Sequence, residues 1–209
     1  MINVPDRGIY LASRSPRRRE LLSQIGVRYH LLLFRERIDE KPEVEETPLA
    51  GETPAAYVER LARSKAEAGW RRMLQRNLPV APVLAADTTV ALDGKIFGKP
   101  KNRTEAAEML AALSGVRHEV LTAVALKNHD LLELALSTSE VQMKKLSSEE
   151  IALYVASGES DDKAGAYAIQ GRAARFVVEL RGSYSGVAGL PLYETGQLLE
   201  KLRERRNPY

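Results

Sequence analysis

The run PVLAADTTVAL at residues 82–92 constrains the fold of this chain most strongly. It is apolar and rich in β-branched residues, and it is followed by Asp93 and Gly94, a dipeptide typical of a tight hairpin turn. Residues 95–97 then follow as a second strand. The pattern therefore predicts a β-hairpin whose first strand is apolar.

Asp87 interrupts the middle of this strand. Aspartate is unfavourable in strands and is almost never buried without a partner, so a metal ion, a cation or a catalytic role would have to offset its desolvation. Lys99 is a candidate partner, because Gly98 and Pro100 place it on a stiff loop. The alternative is an aspartate at a strand end whose salt bridge is only structural.

A second unusual stretch is LASRSPRRRELL at residues 11–22. Ser15 and Pro16 predict a helix start, because a serine oxygen can cap free amides and proline suits the first helical position. Three arginines at residues 17–19 then fill the first turn, where the helix dipole makes each cation unfavourable by a few tenths to about 1 kcal/mol. Helix amides and guanidinium groups that converge would suit a bound polyanion such as a phosphate chain. The alternative is a solvated basic turn that tolerates the charge.

The segment DDKAGAYAIQG at residues 161–171 is dense in small and polar residues. Its glycines permit a backbone that lies close to a ligand, while Lys163, Tyr167 and Gln170 offer a charge, an aromatic face and an amide. This set suits a nucleotide base beside phosphates. A glycine-rich surface turn with incidental polar groups is the alternative.

The remaining residues predict further strands and helices with turn signals between them. Residues 35–52 are rich in Glu and Pro and lack a period, which favours an exposed loop whose Asp39 and Glu40 could face the site. Lys65 lies off the apolar stripe of the second helix, as solvent-facing residues usually do. We expect strands at residues 9–12, 29–34, 119–126, 131–143 and 175–180, and helices that begin at residues 15, 53, 104, 147 and near 191.

Composition excludes several classes of site. The 209 residues are 44% hydrophobic and 28% charged, which is typical of a soluble globular protein, and we expect a cytoplasmic one without a membrane span or signal peptide. Because Cys is absent and the three His match no metal-ligand spacing, a thiolate zinc site, a cysteine nucleophile and a histidine-based mechanism are disfavoured. A net charge of only +3, with clustered arginines, favours a local anion site over a nucleic-acid surface.

Six short segments, in this order, resemble the Maf family of nucleoside triphosphate pyrophosphatases. They are SRSPRR at 13–18, LARSKA at 61–66, AADTTV at 85–90, FGKP at 97–100, DKAGAYAIQG at 162–171 and GLP at 189–191. The resemblance implies an α/β fold with a long mixed sheet and two lobes around a cleft, similar to the inosine triphosphatase fold, in one domain over residues 1–209. The AYAIQG run resembles the subgroup that acts on dTTP and UTP, whereas the subgroup that acts on 7-methyl-GTP has a run such as SFKSEG.

The resemblance also implies roles for individual residues. Asp87 matches the family's proton acceptor, and Asp87 with Glu40 would hold a divalent cation, Mg²⁺ or Mn²⁺. Two departures from the family pattern are Arg14, where many relatives carry a small residue, and a longer loop at residues 35–52, which makes the match of Glu40 less direct. The implied catalytic residues are Asp87, Lys99, Arg18 and Lys65, and the implied substrate-binding residues are Ser13, Ser15, Arg17, Thr88, Lys163, Tyr167 and Gln170.

The implied reaction is attack of water on the α-phosphorus of a nucleoside triphosphate, which gives a monophosphate and pyrophosphate. Such an enzyme would keep non-standard nucleotides out of nucleic acid; its partner would be the triphosphate rather than a nucleic acid, with a homodimer left open. The alternative is a non-catalytic nucleotide or nucleic-acid binding module. Asp87 discriminates between the two, because a pure polyanion binder gains nothing from a carboxylate near the phosphates.

Overall fold

The computed structural model describes residues 8–33 and 44–206 of the chain, so the predicted Asp39 and Glu40 lie outside the described residues. Within these ranges, seven strands form one mixed sheet flanked by helices. The strands are β1 Ile9–Leu11, β2 Tyr29–Leu31, β3 Val83–Leu92, β4 Lys95–Phe97, β5 Arg117–Asn128, β6 Leu131–Met143 and β7 Val177–Arg181. The helices are α1 Pro16–Gln24, α2 Pro54–Gln75, α3 Arg103–Leu113, α4 Ser148–Ala156, α5 Tyr184–Val187 and α6 Leu192–Arg206, with 3₁₀ turns at Ala164–Ala166 and Arg172–Phe176.

The sheet has the order β2-β1-β3-β5-β6-β7, and β4 pairs with the far end of β3. Strand β1 runs parallel to β2 and β3, whereas the ladders from β3 through β5 and β6 to β7 are antiparallel. The predicted α/β class with a long mixed sheet is confirmed. None of the helices in the described ranges is both long enough and apolar enough to cross a bilayer.

Strand β3 is buried on both faces, which explains why its sequence is an almost continuous apolar run. On one face, Ala85 and Ala91 pack with the apolar stripe of α2. On the other face, Leu84 and Ala86 pack with residues of α1 and α6. The predicted hairpin is confirmed, because β3 pairs with β4 across the turn at Asp93.

Two glycines allow close approaches to β3. A Cβ on Gly69 of α2 would lie 2.8 Å from a Val83 methyl carbon, so only glycine lets this helix pack so near the sheet. Gly165 has a φ of +66°, and a Cβ there would lie 2.8 Å from a Val90 methyl carbon. The segment that contains Gly165 is therefore held directly against β3.

The structure corrects several of the predicted elements. Strand β2 ends at Leu31 instead of residue 34, and α3 begins at Arg103, with Asn102 as its N-cap, instead of at residue 104. The strand predicted from residue 175 begins at Val177, and residues 172–176 form a 3₁₀ turn, because Phe176 turns into the core, where it is 1% exposed. Strand β5 is longer than predicted, since its pairing with β6 continues through both ends of the ladder. The short helix α5 has no counterpart in the prediction. By contrast, β6 has the predicted bounds, and Ser147 and Glu150 form the predicted capping box of α4.

A buried histidine ties the 161–171 segment to the sheet. His118 of β5 is 2% exposed, and its Nε2 lies 2.8 Å from the hydroxyl of Tyr167. Burial lowers the pKa of His118 to about 4. The imidazole of His118 therefore takes up a proton at a higher pH in the unfolded chain than in the folded chain. The contribution of His118 to the free energy of unfolding is complete above about pH 6.5 and is lost as the pH falls toward 4.

We expect the free energy of unfolding to fall by about 2 kcal/mol through His118 alone between pH 7.5 and pH 5. Urea unfolding at the two pH values measures the change in the parent, in His118→Gln and in His30→Gln. His118→Gln should lose most of this pH dependence because the amide does not titrate, while the exposed His30 is the matched control. An equal loss of stability with pH in His118→Gln and the parent would contradict this origin.

Candidate active site

The sheet has a gap beside the middle of β3. Strand β1 pairs with β3 at residues 83–84 and strand β4 pairs with it at residues 90–92. Between these ladders, residues 85–89 have a strand partner on one side only, β5, among the described strands. Asp87 and Thr88 are consecutive residues of β3 beside this gap. Because consecutive residues of a strand point to opposite faces of the sheet, the two polar side chains lie on opposite faces.

Asp87 is 8% exposed and is paired with a lysine from α2. Lys65 Nζ donates a hydrogen bond of 2.5 Å to Asp87 Oδ1. Lys65 is thus the partner that burial of Asp87 requires, although sequence spacing suggested Lys99 and treated Lys65 as a solvent-facing residue. Asp87 lies in the middle of its strand. The alternative, a purely structural salt bridge, assumed an aspartate at a strand end.

A second carboxylate, Glu46, joins this cluster. Its oxygens lie 2.7 Å from Lys65 Nζ and 3.7 Å from Lys99 Nζ. Burial alone would raise the pKa of Glu46, but the charge and hydrogen bonds of Lys65, and then of Lys99, outweigh it, so the pKa lies below its ordinary value. Sequence reasoning missed Glu46, because it lies among several acidic residues of an aperiodic loop and no local signal separates it from them.

Arg18 joins the first turn of α1 to the gap from the opposite side. Its Nε donates to the carbonyl of Gly189 at 2.7 Å, and its Nη2 donates to Thr88 Oγ1 at 3.3 Å. Burial lowers the pKa of Arg18, and the negative charge of Asp87 opposes that shift. An arginine stays charged under both influences, so Arg18 brings a fixed cation to the edge of β3.

The two serines of the SRSPRR segment, Ser13 and Ser15, lie beside Arg18 at the start of α1. Ser13 is buried, and its Oγ accepts from Ser15 N–H at 3.2 Å and from Arg18 Nη1 at 3.4 Å. Ser15 takes the N-cap position of α1, but its side chain makes no capping hydrogen bond, so the predicted side-chain cap is wrong. The proline at the first helical position is confirmed.

Arg17, beside Arg18, faces the 161–171 segment. With the amide oriented so that its oxygen meets donors, Gln170 Oε1 accepts from Arg17 Nη1 at 3.2 Å and from Arg17 Nε. Burial lowers the pKa of Arg17. Gln170 itself is exposed, so its amide is open to solvent beside the first turn of α1.

Two buried tyrosines hold the backbone that precedes Gln170. The Tyr167 ring packs in the core, and burial raises the pKa of its hydroxyl, which bonds His118. The next residue, Ala168, donates its N–H to the Tyr154 hydroxyl at 3.1 Å. Tyr167 therefore lies where it positions the segment, and the contact with a base implied for it by sequence stays a prediction that its placement does not support.

Lys163 is the sequence-predicted cation that the structure places apart. Its Nζ donates to the carbonyl of Asp161 at 3.0 Å, within its own loop. The site residues of the described chain fall into two connected groups. These are Asp87, Lys65, Lys99 and Glu46 on one side of β3, and Ser13, Arg18, Thr88, Arg17 and Gln170 around the first turn of α1.

No group of three or more His, Cys, Asp or Glu side chains able to hold a metal ion occurs within residues 8–33 and 44–206. Asp87 supplies a carboxylate of the kind that Mg²⁺ and Mn²⁺ prefer, and the predicted second ligand, Glu40, lies outside the described residues. The oxygens of a bound triphosphate would supply the same type of ligand. Among the described residues, Asp87 is thus a ligand of the type that suits a hard divalent cation, and it would hold one only together with further oxygen ligands such as those of a phosphate chain.

The fold and the site define a class: an α/β protein in which a carboxylate faces lysines and an arginine-bearing helix start at a gap in a mixed sheet. Residues 8–202 match the family model described as "Maf-like protein". The chain belongs to this family, as the sequence resemblance predicted.

Curated relatives agree over nearly the full chain. A protein of Nitrosomonas europaea named dTTP/UTP pyrophosphatase is 57% identical over 201 residues, which cover 96% of this chain and 97% of that one. A protein of the same name from Aromatoleum aromaticum is 58% identical over 194 residues, which cover 92% and 94% of the two chains. Among solved structures, that of the Staphylococcus aureus Ham1 protein is 18% identical, covers 93% of this chain and 98% of that chain, and has a TM-score of 0.49.

Proposed function

We propose that this protein hydrolyses dTTP and UTP to the nucleoside monophosphate and pyrophosphate. The observation that carries the proposal is the position of Asp87, a carboxylate at a gap in the sheet and in contact with Lys65. Relatives more than half identical to this chain are named for this activity. No feature of the described residues favours a non-catalytic binding module, for which a carboxylate among the phosphate-binding cations would only weaken affinity.

The phosphate chain would bind between the two groups of cations. Lys65 of α2 and Lys99 of the loop after β4 meet at Glu46, while Arg18 and the amides at the start of α1 lie around Thr88. Cations fixed on both sides stabilise the negative charge that develops on the phosphorus oxygens and on the leaving pyrophosphate. Lys65 and Arg18 are held by short hydrogen bonds within the fold before substrate binds, so these two cations need little reorganisation during the reaction.

Asp87 would orient the attacking water and accept its proton. The water oxygen forms a bond to the α-phosphorus, and the bond from that phosphorus to the oxygen of the leaving pyrophosphate breaks. A divalent cation held by Asp87 and Glu40 would neutralise phosphate charge and lower the pKa of a bound water. Lys65 contacts Asp87 and Glu46 in the substrate-free chain and would turn its third donor to the phosphates.

Selection of the base would depend on Gln170. Arg17 holds the amide oxygen of Gln170, so the amide NH₂ points away from Arg17. That NH₂ is a donor, and it fits the carbonyl oxygen at position 4 of uracil or thymine. Cytosine carries an amino group at that position, so two donors would face each other, and we propose that CTP is a poor substrate.

Gln170→Glu tests this assignment. The new carboxylate would pair with Arg17 and would offer the base an acceptor where it needs a donor, so kcat/KM for dTTP and UTP should fall by about tenfold. The measurement is kcat/KM for dTTP, UTP, CTP, ATP and 7-methyl-GTP in the parent and the variant. Gln197→Glu, an exposed change of the same type on α6, is the matched control.

The parent enzyme should hydrolyse dTTP and UTP far better than the other three substrates. A parent that prefers 7-methyl-GTP would contradict the proposed function. A Gln170→Glu variant whose ranking of substrates is unchanged would remove Gln170 from base selection.

A further inference from the structure

We infer that Thr122, a buried residue of β5, is a positioning residue for the proposed reaction. Its hydroxyl completes a ring of hydrogen bonds that holds Arg18 beside β3 and fixes the direction of the Thr88 hydroxyl. The inference rests on the proposed function, since that function assigns Arg18 to the phosphates. It gives a role to a residue outside the six segments of the family resemblance.

Thr122 lies directly opposite Thr88 in the antiparallel ladder of β3 and β5. The two side chains therefore share one face of the sheet, and their Oγ1 atoms lie 2.9 Å apart. Thr122 Oγ1 also lies 2.8 Å from the carbonyl oxygen of Gly186, in α5. Because Thr122 is only 1% exposed, its hydroxyl depends on these protein partners instead of on bulk water.

The chemistry of the donors and acceptors fixes the direction of each bond. A hydroxyl has one proton to donate and a carbonyl oxygen can only accept, so Thr122 donates to Gly186. The Thr88 hydroxyl then donates to Thr122 Oγ1. Thr88 Oγ1 in turn accepts from Arg18 Nη2 at 3.3 Å, because a guanidinium group can only donate. A single arrangement of protons therefore satisfies these three hydrogen bonds.

The Nε atom of Arg18 is bonded to the same turn, residues 186–189. It donates to the Gly189 carbonyl at 2.7 Å, and the Gly189 N–H donates to the Gly186 carbonyl at 2.9 Å. Both lone pairs of the Gly186 oxygen are thus occupied, one by Gly189 and one by Thr122. The hydrogen-bond ring therefore runs from Arg18 through Thr88, Thr122, Gly186 and Gly189 back to Arg18.

The hydrogen-bond ring explains how a long, flexible side chain is held in one position. It fixes both Nε and Nη2 of Arg18, so the guanidinium plane is set before a substrate binds. Without the Thr122 hydroxyl, the proton of Thr88 would lose its acceptor and could rotate toward Arg18 Nη2, where two donors would face each other. Loss of Thr122 should therefore weaken the contribution of Arg18 without removing its charge.

Thr89 provides the matched control. It is also buried, at 0% exposed, and its Oγ1 has no hydrogen-bond partner among the described residues. Thr89→Ala and Thr122→Ala remove the same atoms from neighbouring strands, and only the second removes a member of the hydrogen-bond ring. Thr122→Ser is the converse change, because it keeps the hydroxyl and loses the methyl group.

The first test is kcat/KM for dTTP in the parent and these three variants, expressed per folded protein from urea unfolding. We expect Thr122→Ala to lower kcat/KM about tenfold, and Thr122→Ser and Thr89→Ala to stay within about twofold of the parent. Thr122→Val also lacks the hydroxyl but keeps most of the volume. It should lose as much activity as Thr122→Ala, and it provides the measurement if the alanine variant fails to fold.

A double-mutant cycle with Arg18→Ala tests whether Thr122 acts through Arg18. Once Arg18 is absent, Thr122→Ala should lower kcat/KM by no more than about twofold further. Calorimetric titration of inorganic pyrophosphate makes the same comparison without turnover. Thr122→Ala should weaken pyrophosphate binding about fivefold when Arg18 is present, and Thr89→Ala should leave it unchanged.

Three outcomes would overturn the inference. Parent-like activity of folded Thr122→Ala would show that Arg18 does not need the hydrogen-bond ring. Equal losses in Thr122→Ser and Thr122→Ala would assign the effect to packing instead of to the hydroxyl, and an undiminished loss in the Arg18→Ala background would show that Thr122 acts independently of Arg18. If the protein fails to hydrolyse dTTP but the pyrophosphate titrations follow the expected pattern, the role of Thr122 stands and the proposed function is contradicted.

Discussion

Asp87→Asn should lower kcat for dTTP by about a thousandfold. The amide keeps the shape of the side chain, but it is neither a base nor a strong ligand for a hard cation. Lys65 retains Glu46 as a partner at 2.7 Å, so the fold should survive the change. The measurement is kcat from initial rates of pyrophosphate release at saturating dTTP, together with the Kd for a non-hydrolysable analogue of dTTP.

Asp93→Asn is the matched control for this variant. Asp93 is exposed in the turn after β3 and has a φ of +50°, a conformation that asparagine tolerates. It removes the same charge from the same hairpin and should leave kcat unchanged. Near-normal turnover by Asp87→Asn, with analogue binding intact, would remove Asp87 from the mechanism.

Arg18→Ala should lower kcat/KM by about 30- to 100-fold, which corresponds to about 2–3 kcal/mol of transition-state stabilisation. It should also lower the free energy of unfolding by about 1–2 kcal/mol, because the buried carbonyl of Gly189 and the hydroxyl of Thr88 lose a donor. Urea unfolding and initial-rate kinetics measure the two effects separately.

Arg17→Ala is the comparison that separates loss of activity from loss of stability. Arg17 occupies the same helical turn, but it contacts the exposed Gln170 instead of a buried carbonyl. Its removal should therefore change substrate ranking with little loss of stability. An equal loss of stability in both variants, or none in Arg18→Ala, would contradict the structural role assigned to Arg18.

The helix dipole alone gives a different expectation for these arginines. A cation in the first turn of a helix is unfavourable, so sequence reasoning predicts that α1 is unharmed or slightly stabilised when either arginine is removed. The structure alters this for Arg18, because its hydrogen bond to Gly189 joins residues 171 positions apart. A contact at that separation leaves no pattern near Arg18 in the sequence.

Local signals determined much of the fold. The apolar run of β3 and the turn at Asp93, the capping box of α4 and the bounds of β6 all follow from interactions between residues close in the chain. Such signals depend on backbone conformation and on short-range hydrogen bonds, so the sequence by itself determines them. They failed at residues 175–176, where a strand was predicted but burial of Phe176 in the core outweighs local preference.

The sequence by itself also determined which residue types the site would need. The position of Asp87 within an apolar strand indicated a metal ion, a cation or a catalytic role, and the arginines in the first turn of α1 indicated either a bound anion or a solvated basic turn. Only the tertiary structure decided that the cation is Lys65, that Glu46 shares it, and that Tyr167 is part of the core. The reason is physical: burial and charge fix the kind of partner a side chain needs, whereas the packing of α2 on β3 fixes which partner lies within reach.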